Sequence, residues 1–211
     1  MRPHRNMAMA ALLALALLAG LEAQAKVGKQ VVVLAGLPGS GKTTLAESLS
    51  RSLNAPRLKC GDVIRRWIKA QGLPYTPETD RAASRHFARR PGEIARQLSA
   101  TIERDPSRTV ILDGVRSPAD VRVLREQGFD VRVVALRAPA KLRYERMQER
   151  GRFDGETVDY LRARDRREIG LGVLHLLRRP FARIDMTGPI TDVPSQAKQL
   201  AGRLQRSWAA R

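Results

Sequence analysis

The sequence is poor in cysteine, aromatic residues and acidic residues, and each shortage excludes a class of protein. Cys60 is the single cysteine, so the chain has neither an intramolecular disulfide framework nor a Cys-rich zinc module. Aromatic residues make up 4% of the chain, which argues against the base-stacking surface of a single-strand RNA binder. Because 28% of the residues are charged, a multi-spanning membrane protein is also excluded. The 211 residues are enough for one globular domain with one hydrophobic core.

The shortage of acidic residues gives the chain a strong positive charge. The sequence has 39 Lys and Arg residues against 21 Asp and Glu residues, which is a formal net charge of +18. Such an excess favours polyanionic partners, namely nucleotides, RNA or anionic surfaces. Nearly all of the cations are arginines, so a compositional bias is an equally good explanation. The charge alone does not choose among these partners.

The first 25 residues differ from the rest of the chain. A basic start from Met1 to Arg5 precedes an apolar run from Met7 to Leu21 and the sequence Ala23-Gln24-Ala25. This order is typical of a secretory signal peptide, and an acid-poor segment of this kind also suits an organelle leader or a start site placed too far upstream. The apolar run is shorter than the roughly 20 residues that span a bilayer, so we expect no stable membrane span. We therefore expect a leader at residues 1–25 and one domain at residues 26–211.

After residue 26, short apolar runs alternate with longer helical patterns, which indicates a parallel sheet built from βαβ units. The predicted strands cover Gln30 to Ala35, Pro56 to Cys60, Thr109 to Leu112, Asp130 to Leu136 and Ala182 to Met186. The predicted helices cover Lys42 to Leu53, Asp62 to Gln71, a broad region from Thr79 to Glu103, Pro118 to Glu126, Lys141 to Arg150, Glu156 to Leu177 and Ser195 to Ala209.

The strongest motif follows the first predicted strand. The residues from Gly36 to Thr43 read Gly-Leu-Pro-Gly-Ser-Gly-Lys-Thr and match the P-loop (Walker A) pattern G-x-x-x-x-G-K-[ST] completely. In such a loop the backbone N–H groups and the helix N-terminus surround a polyphosphate. Lys42 is then placed to bind the β and γ phosphates, and Thr43 to hold Mg²⁺ through its hydroxyl. The predicted nucleotide-binding residues are Gly36, Pro38, Gly39, Ser40, Gly41, Lys42, Thr43 and Thr44.

A carboxylate and an arginine follow the third predicted strand. Asp113 and Arg116 lie in the sequence Asp-Gly-Val-Arg, at the strand end where open α/β sheets bind ligands. Asp113 is therefore a candidate to orient Mg²⁺, directly or through water. The alternative is that Asp113 caps the helix that begins near Ser117 and Pro118.

Two further groups of charged residues are candidates for phosphate contacts. After the second strand, Asp62 is expected to cap a helix that projects Arg65 towards an acceptor's phosphate, with a solvated arginine as the alternative. Arg143, Arg146 and Arg150 lie on one helical face, and this spacing suits a lid that closes over phosphates. A solvated basic face or an RNA-contacting face is the alternative. The sequence Arg-Asp-Arg-Arg-Glu at 164–168 returns further cations to the site or pairs internally.

From about Gln30 to Thr191 the chain resembles the adenylate-kinase-like branch of the P-loop kinases. It is more closely similar to small archaeal and bacterial proteins described as related to dephospho-CoA kinase or to nucleoside monophosphate kinases. The matching segments appear in the expected order at residues 36–44, 61–65, 113–117, 143–146, 150–154 and 164–168.

This resemblance implies a three-layer α/β P-loop NTPase fold with a five-stranded parallel sheet, an acceptor-binding region near 61–107 and a short Arg-rich lid near 146–156. It further implies that ATP and Mg²⁺ are the cofactors and that residues 185–189 lie beside the adenine. Its implied substrate-binding residues are Asp62, Arg65, Asp113 and Arg116, with the two arginines on the acceptor's phosphate, and its implied catalytic residues are Lys42, Arg150, Arg152 and Arg164.

The resemblance implies an enzyme that moves the γ-phosphoryl group of Mg-ATP to a small phosphorylated acceptor, a nucleoside monophosphate. Dephospho-CoA is an alternative acceptor. A nucleotide-dependent switch or RNA-binding module with slow turnover is a second class of hypothesis, although nucleic acid is not the favoured partner. Because ATP is consumed, we expect a cytoplasmic functional form.

Overall fold

The computed structural model describes residues 28–151 and 157–210. The leader-like segment 1–25 and the lid residue Arg152 lie outside these ranges, so their roles stay predictions. Within the described ranges, five parallel strands form one sheet in the order β2-β3-β1-β4-β5, which confirms the predicted sheet. The strands are β1 (Gln30–Ala35), β2 (Arg57–Lys59), β3 (Thr109–Asp113), β4 (Asp130–Arg137) and β5 (Ala182–Asp185).

The central position of β1 follows from its composition. All six of its residues are buried, as expected of an apolar strand with neighbours on both edges and helices on both faces. In the ladder Leu34 pairs with Asp113 of β3, which extends one residue beyond the prediction. The carboxyl ends of β1 and β3 therefore meet at one edge of the sheet, where the P-loop begins.

The helices surround this sheet, and four of the predicted helices need correction, one of them the last helix, which begins at Val193 and not at Ser195. The region predicted as one helix from Thr79 to Glu103 is two helices, because the chain turns at Pro91 and at Gly92, whose φ is +82°. The region from Glu156 to Leu177 divides at Gly172 for the same reason. The helix predicted from Asp62 begins two residues earlier. The helices are α1 (Lys42–Leu53), α2 (Cys60–Ala70), α3 (Pro77–Ala88), α4 (Glu93–Arg104), α5 (Pro118–Glu126), α6 (Ala140–Arg150), α7 (Val158–Gly170), α8 (Val173–Leu176) and α9 (Val193–Ala209).

Two hydrophobic clusters, one on each face of the sheet, make the three layers. Alternate residues of each strand point to opposite faces, so Val31 and Val33 join the cluster that packs on α2–α5, and Val32 and Leu34 join the one that packs on α1 and α9. Cys60 is buried in the first cluster, and this burial raises the pKa of its thiol, so it is a packing residue without nucleophilic chemistry. No helix in the described ranges is both long and apolar enough to cross a membrane.

Candidate active site

The P-loop connects β1 to α1, as its sequence predicts. Two of its glycines, Gly39 and Gly41, have φ values of +77° and +85°, in the left-handed region that favours glycine. A Cβ on Gly39 would overlap the backbone carbonyl of Arg143, and a Cβ on Gly41 would lie 2.6 Å from Cε of Met186. The loop therefore depends on glycine for its backbone conformation and for its close packing on two neighbouring segments.

Lys42 lies over the P-loop at the first residue of α1. Its Nζ donates hydrogen bonds to the carbonyl oxygens of Gly36 at 2.7 Å and Leu37 at 2.9 Å. Burial lowers the pKa of Lys42 to about 8, and the nearby negative charge of Glu168 opposes this shift. Because its hydrogen-bond partners are neutral carbonyls, the ammonium group can exchange them for the charged oxygens of a phosphate.

Thr43 and Asp113, the two residues predicted to bind Mg²⁺, lie next to each other. The Thr43 hydroxyl donates a hydrogen bond to Oδ2 of Asp113 at 2.9 Å, and Asp113 is buried at the end of β3. The alternative role of Asp113 as a helix cap is wrong, because the side chain of Ser117 caps α5. A hydroxyl and a carboxylate are hard oxygen donors of the kind that Mg²⁺ prefers, so these residues fit the predicted ion.

A cavity of about 830 Å³ opens in front of the P-loop and brings most of the predicted site residues together. This volume lies in the upper part of the range of about 300–1,000 Å³ that is usual for small-molecule sites. Of the predicted residues outside the loop, Arg65, Asp113, Arg116, Arg150 and Arg164 line it, together with residues 38–44 of the loop and residues 185–189 after β5. Gly36 and Asp62 lie outside the lining.

The role predicted for Asp62 as a helix cap is wrong. Helix α2 begins at Cys60, and its N-cap residue is Lys59, so Asp62 lies in the first turn. There the Asp62 carboxylate pairs with the guanidinium group of Arg65, which lines the cavity and is half-exposed. Asp62 therefore contacts the cavity only through Arg65, which it orients.

Arg116 and Arg164 meet at a carboxylate that the sequence analysis did not assign. Oε1 of Glu168 lies 3.4 Å from Nε of Arg116 and 4.0 Å from Nε of Arg164. Glu168 is buried in the wall of the cavity, and its charge raises the pKa of Arg116. The spacing of four residues between Arg164 and Glu168 on one helix was the signal available in the sequence. Asp80 also lines the cavity, and no local pattern indicated it.

The three arginines of α6 have three different roles, so the single basic face expected for them is wrong. Arg143 is buried and donates two hydrogen bonds to Asp165, at 2.9 and 2.5 Å, and one to the carbonyl oxygen of Pro38 at 2.9 Å. This arrangement ties α6, α7 and the P-loop together. Arg146 donates to the carbonyl of Met186 at 2.8 Å and so holds the loop after β5. Arg150 is exposed at the cavity, as a lid residue would be.

A family model described as AAA domain matches residues 32–167 of this chain. Among curated proteins, the chain is similar to the UPF0200 protein of Hyperthermus butylicus, with 32% identity over 82% of this chain and 94% of the relative. It is also similar to the UPF0200 protein of Aeropyrum pernix, with 34% identity over 81% of this chain and 91% of the relative. Both relatives are matched over almost their whole length.

Two solved structures have a fold similar to that of this chain. A shikimate kinase from Acinetobacter baumannii, solved in complex with shikimate, matches with a TM-score of 0.56 and 17% identity over 89% of this chain and 97% of that chain. The structure of TT1252 from Thermus thermophilus matches with a TM-score of 0.58 and 19% identity over 83% of this chain and 98% of that chain. At these identities the likeness shows a P-loop kinase-like fold and leaves the acceptor open.

Proposed function

Since the chain belongs to the family described as AAA domain and to the UPF0200 proteins, and has a P-loop kinase-like fold, we propose that it is a phosphotransferase that acts on a nucleoside monophosphate. Mg-ATP is the phosphoryl donor in this proposal. The observation that carries it is that one cavity is lined by phosphate-binding and cationic residues from several elements. Lys42 and Thr43 belong to the P-loop, Asp113 and Arg116 come from the end of β3 and the segment after it, and residues 185–189 come from the end of β5 and the loop after it.

The donor half of the cavity binds a polyphosphate through the P-loop. The start of α1 points its N–H groups and its positive dipole end at the cavity, where a triphosphate is stabilised. Lys42 exchanges the carbonyls of Gly36 and Leu37 for phosphate oxygens. Thr43 and Asp113 would hold Mg²⁺, which would neutralise negative charge on the nucleotide's phosphates. The loop 185–189 is the proposed contact of the adenine.

The acceptor site in this proposal uses cations that line the cavity outside the P-loop. Arg65, on α2, and Arg116, between β3 and α5, bind and orient the acceptor's phosphate. Arg164 lies beside Glu168 in the wall of the cavity and stabilises negative charge during transfer. Arg150, at the end of α6, covers the phosphates and excludes water. Such a site works by positioning and charge neutralisation, without a covalent enzyme intermediate.

The proposal is tested by measuring consumption of Mg-ATP with a panel of acceptors. The panel contains the four nucleoside monophosphates, dephospho-CoA, shikimate and gluconate. We expect turnover with at least one nucleoside monophosphate, its loss in Lys42→Ala, and its retention in Lys198→Ala, which removes an exposed lysine from α9. Turnover with dephospho-CoA alone would support a dephospho-CoA kinase instead. Turnover that only RNA stimulates, with strong salt dependence, supports the RNA-binding module.

A further inference from the structure

Glu168 is an acidic side chain at the point where the cavity needs positive charge. Its carboxylate is buried and lies between Arg116 and Arg164, the two arginines placed on the acceptor's phosphate and on the transferred group. Its charge also raises the pKa of Lys42, against the effect of burial. A carboxylate held among three cations occupies the kind of environment that a phosphate group would take.

The walls of the cavity are nearly balanced in charge, although the whole chain carries +18. Asp80, Asp113 and Glu168 all line it alongside the cations. Most of the basic excess therefore lies outside the cavity. Binding of an anionic acceptor depends on which of the cations inside the cavity can change partners.

Two ion pairs on α7 show the difference between a fixed and an exchangeable partner. Arg143 and Asp165 meet at 2.5 and 2.9 Å with hydrogen bonds, which fixes their geometry. Glu168 lies 3.4 Å from Arg116 and 4.0 Å from Arg164, longer than the roughly 2.7–2.9 Å of charge-assisted hydrogen bonds. Glu168 is thus held mainly by charge attraction, and a ligand that offers better geometry to the two guanidinium groups can replace it.

We propose that Glu168 is an internal counter-ion that a dianionic phosphate on the acceptor must displace from Arg116, so that it sets the affinity an acceptor must reach to bind there. This inference rests on the proposed function and adds a residue that controls binding of the acceptor. A phosphate monoester brings more charge and more acceptor oxygens than the carboxylate it replaces, so the exchange is favourable. A carboxylate on the acceptor carries no more charge and no more oxygens than the Glu168 side chain, so its exchange gains nothing, and a neutral polyol leaves the ion pair in place. Binding at Arg116 therefore requires an anion that outcompetes the Glu168 carboxylate, as a phosphate monoester does.

The test is direct binding to the Glu168→Gln variant, which keeps the shape of the side chain and removes its charge. Calorimetry measures the affinities for AMP, inorganic phosphate and gluconate with the P-loop saturated by Mg²⁺ and the non-hydrolysable analogue AMP-PNP. AMP and phosphate should bind about fivefold or more tightly, because paired guanidinium groups reduce the apparent affinity of the wild type. Gluconate should gain by a similar factor, because its carboxylate also needs Arg116 to be free of Glu168. In turnover assays the acceptor KM should fall together with kcat, because Arg116 loses the group that orients it.

Three variants separate this role from a purely structural one. Glu126→Gln makes the same change in net charge at an exposed pair on α5 and should leave all three affinities unchanged. The double variant Glu168→Gln with Arg116→Ala should lose the gain. Glu168→Asp draws the carboxylate back by one methylene, so it should give a smaller gain, and it serves if the glutamine variant does not fold.

Weaker or unchanged phosphate binding in Glu168→Gln would overturn the inference. A wild-type protein that binds no AMP-PNP would contradict the proposed function instead. In that case the binding of inorganic phosphate still tests the role of Glu168. A gain in affinity in Glu168→Gln that is lost when Arg116→Ala is added would support that role.

Discussion

Replacing Asp165 with asparagine tests the ion pair that ties α7 to the P-loop. Asp165 accepts two hydrogen bonds from Arg143 and one from the Tyr144 hydroxyl at 3.0 Å, and Arg143 is 3% exposed. Asparagine keeps the shape of the side chain but leaves a buried guanidinium group without its counter-charge. Removal of one partner of a buried pair costs about 3–5 kcal/mol of unfolding free energy. For a chain of this size we expect Tm to fall by about 6–20 °C.

Thermal unfolding of Asp165→Asn beside a matched variant measures this loss. Asp159→Asn removes a charge from the same helix, where Asp159 pairs with Arg162 and the two side chains are 89% and 59% exposed. An exposed pair contributes about 0–1 kcal/mol, so this control should unfold almost as the wild type does. Asp165→Asn should also bind Mg-ATP more weakly, because Arg143 positions the carbonyl of Pro38. Equal stability losses in the two variants would refute the reasoning.

Two further predictions concern the cavity. Because burial lowers the pKa of Lys42 to about 8 from 10.5, affinity for Mg-ATP measured by calorimetry should fall as the pH rises above about 8 in the wild type and stay flat in Lys42→Met. The same pKa shift should make the unfolding free energy rise as the pH increases from about 8 to 10.5, because in this range the Lys42 side chain is protonated in the unfolded chain but not in the folded one. Arg116→Ala should raise the acceptor KM and cost about 2–5 kcal/mol in kcat/KM, whereas Arg150→Ala should mainly lower kcat. Steady-state kinetics with both substrates varied distinguishes the two variants. Identical changes in KM and kcat in both variants would contradict the separate roles of Arg116 and Arg150.

The parts of the fold that were predictable carry local signals. The bounds of β1, α1 and α5 agree with the sequence predictions, because each is set by an apolar run, a glycine or a proline at a known position. The P-loop motif likewise predicts both the conformation of the loop and its phosphate-binding chemistry. The break at Gly92 also had a local signal, the preceding Pro91, which the periodicity of the surrounding apolar residues obscured.

The parts of the site that were not predictable depend on distant partners. Arg143 and Arg150 are the same residue type on one helix, yet Arg143 is buried against Asp165 and Arg150 is exposed. The spacing on a helix gives a charge pattern but not the residue that neutralises it 22 positions away. Glu168 had one local signal, its spacing of four residues from Arg164, but its second partner, Arg116, follows β3 and is distant in the sequence.

Identification of the products tests the central proposal most directly. Phosphorus NMR of the wild-type protein with Mg-ATP and each nucleoside monophosphate follows where the γ-phosphoryl group goes. We expect ADP together with the nucleoside diphosphate of one acceptor in equal amounts, and no such product from Lys42→Ala. Release of ADP with inorganic phosphate alone, whatever acceptor is present, would contradict phosphoryl transfer and identify the protein as a nucleotide hydrolase.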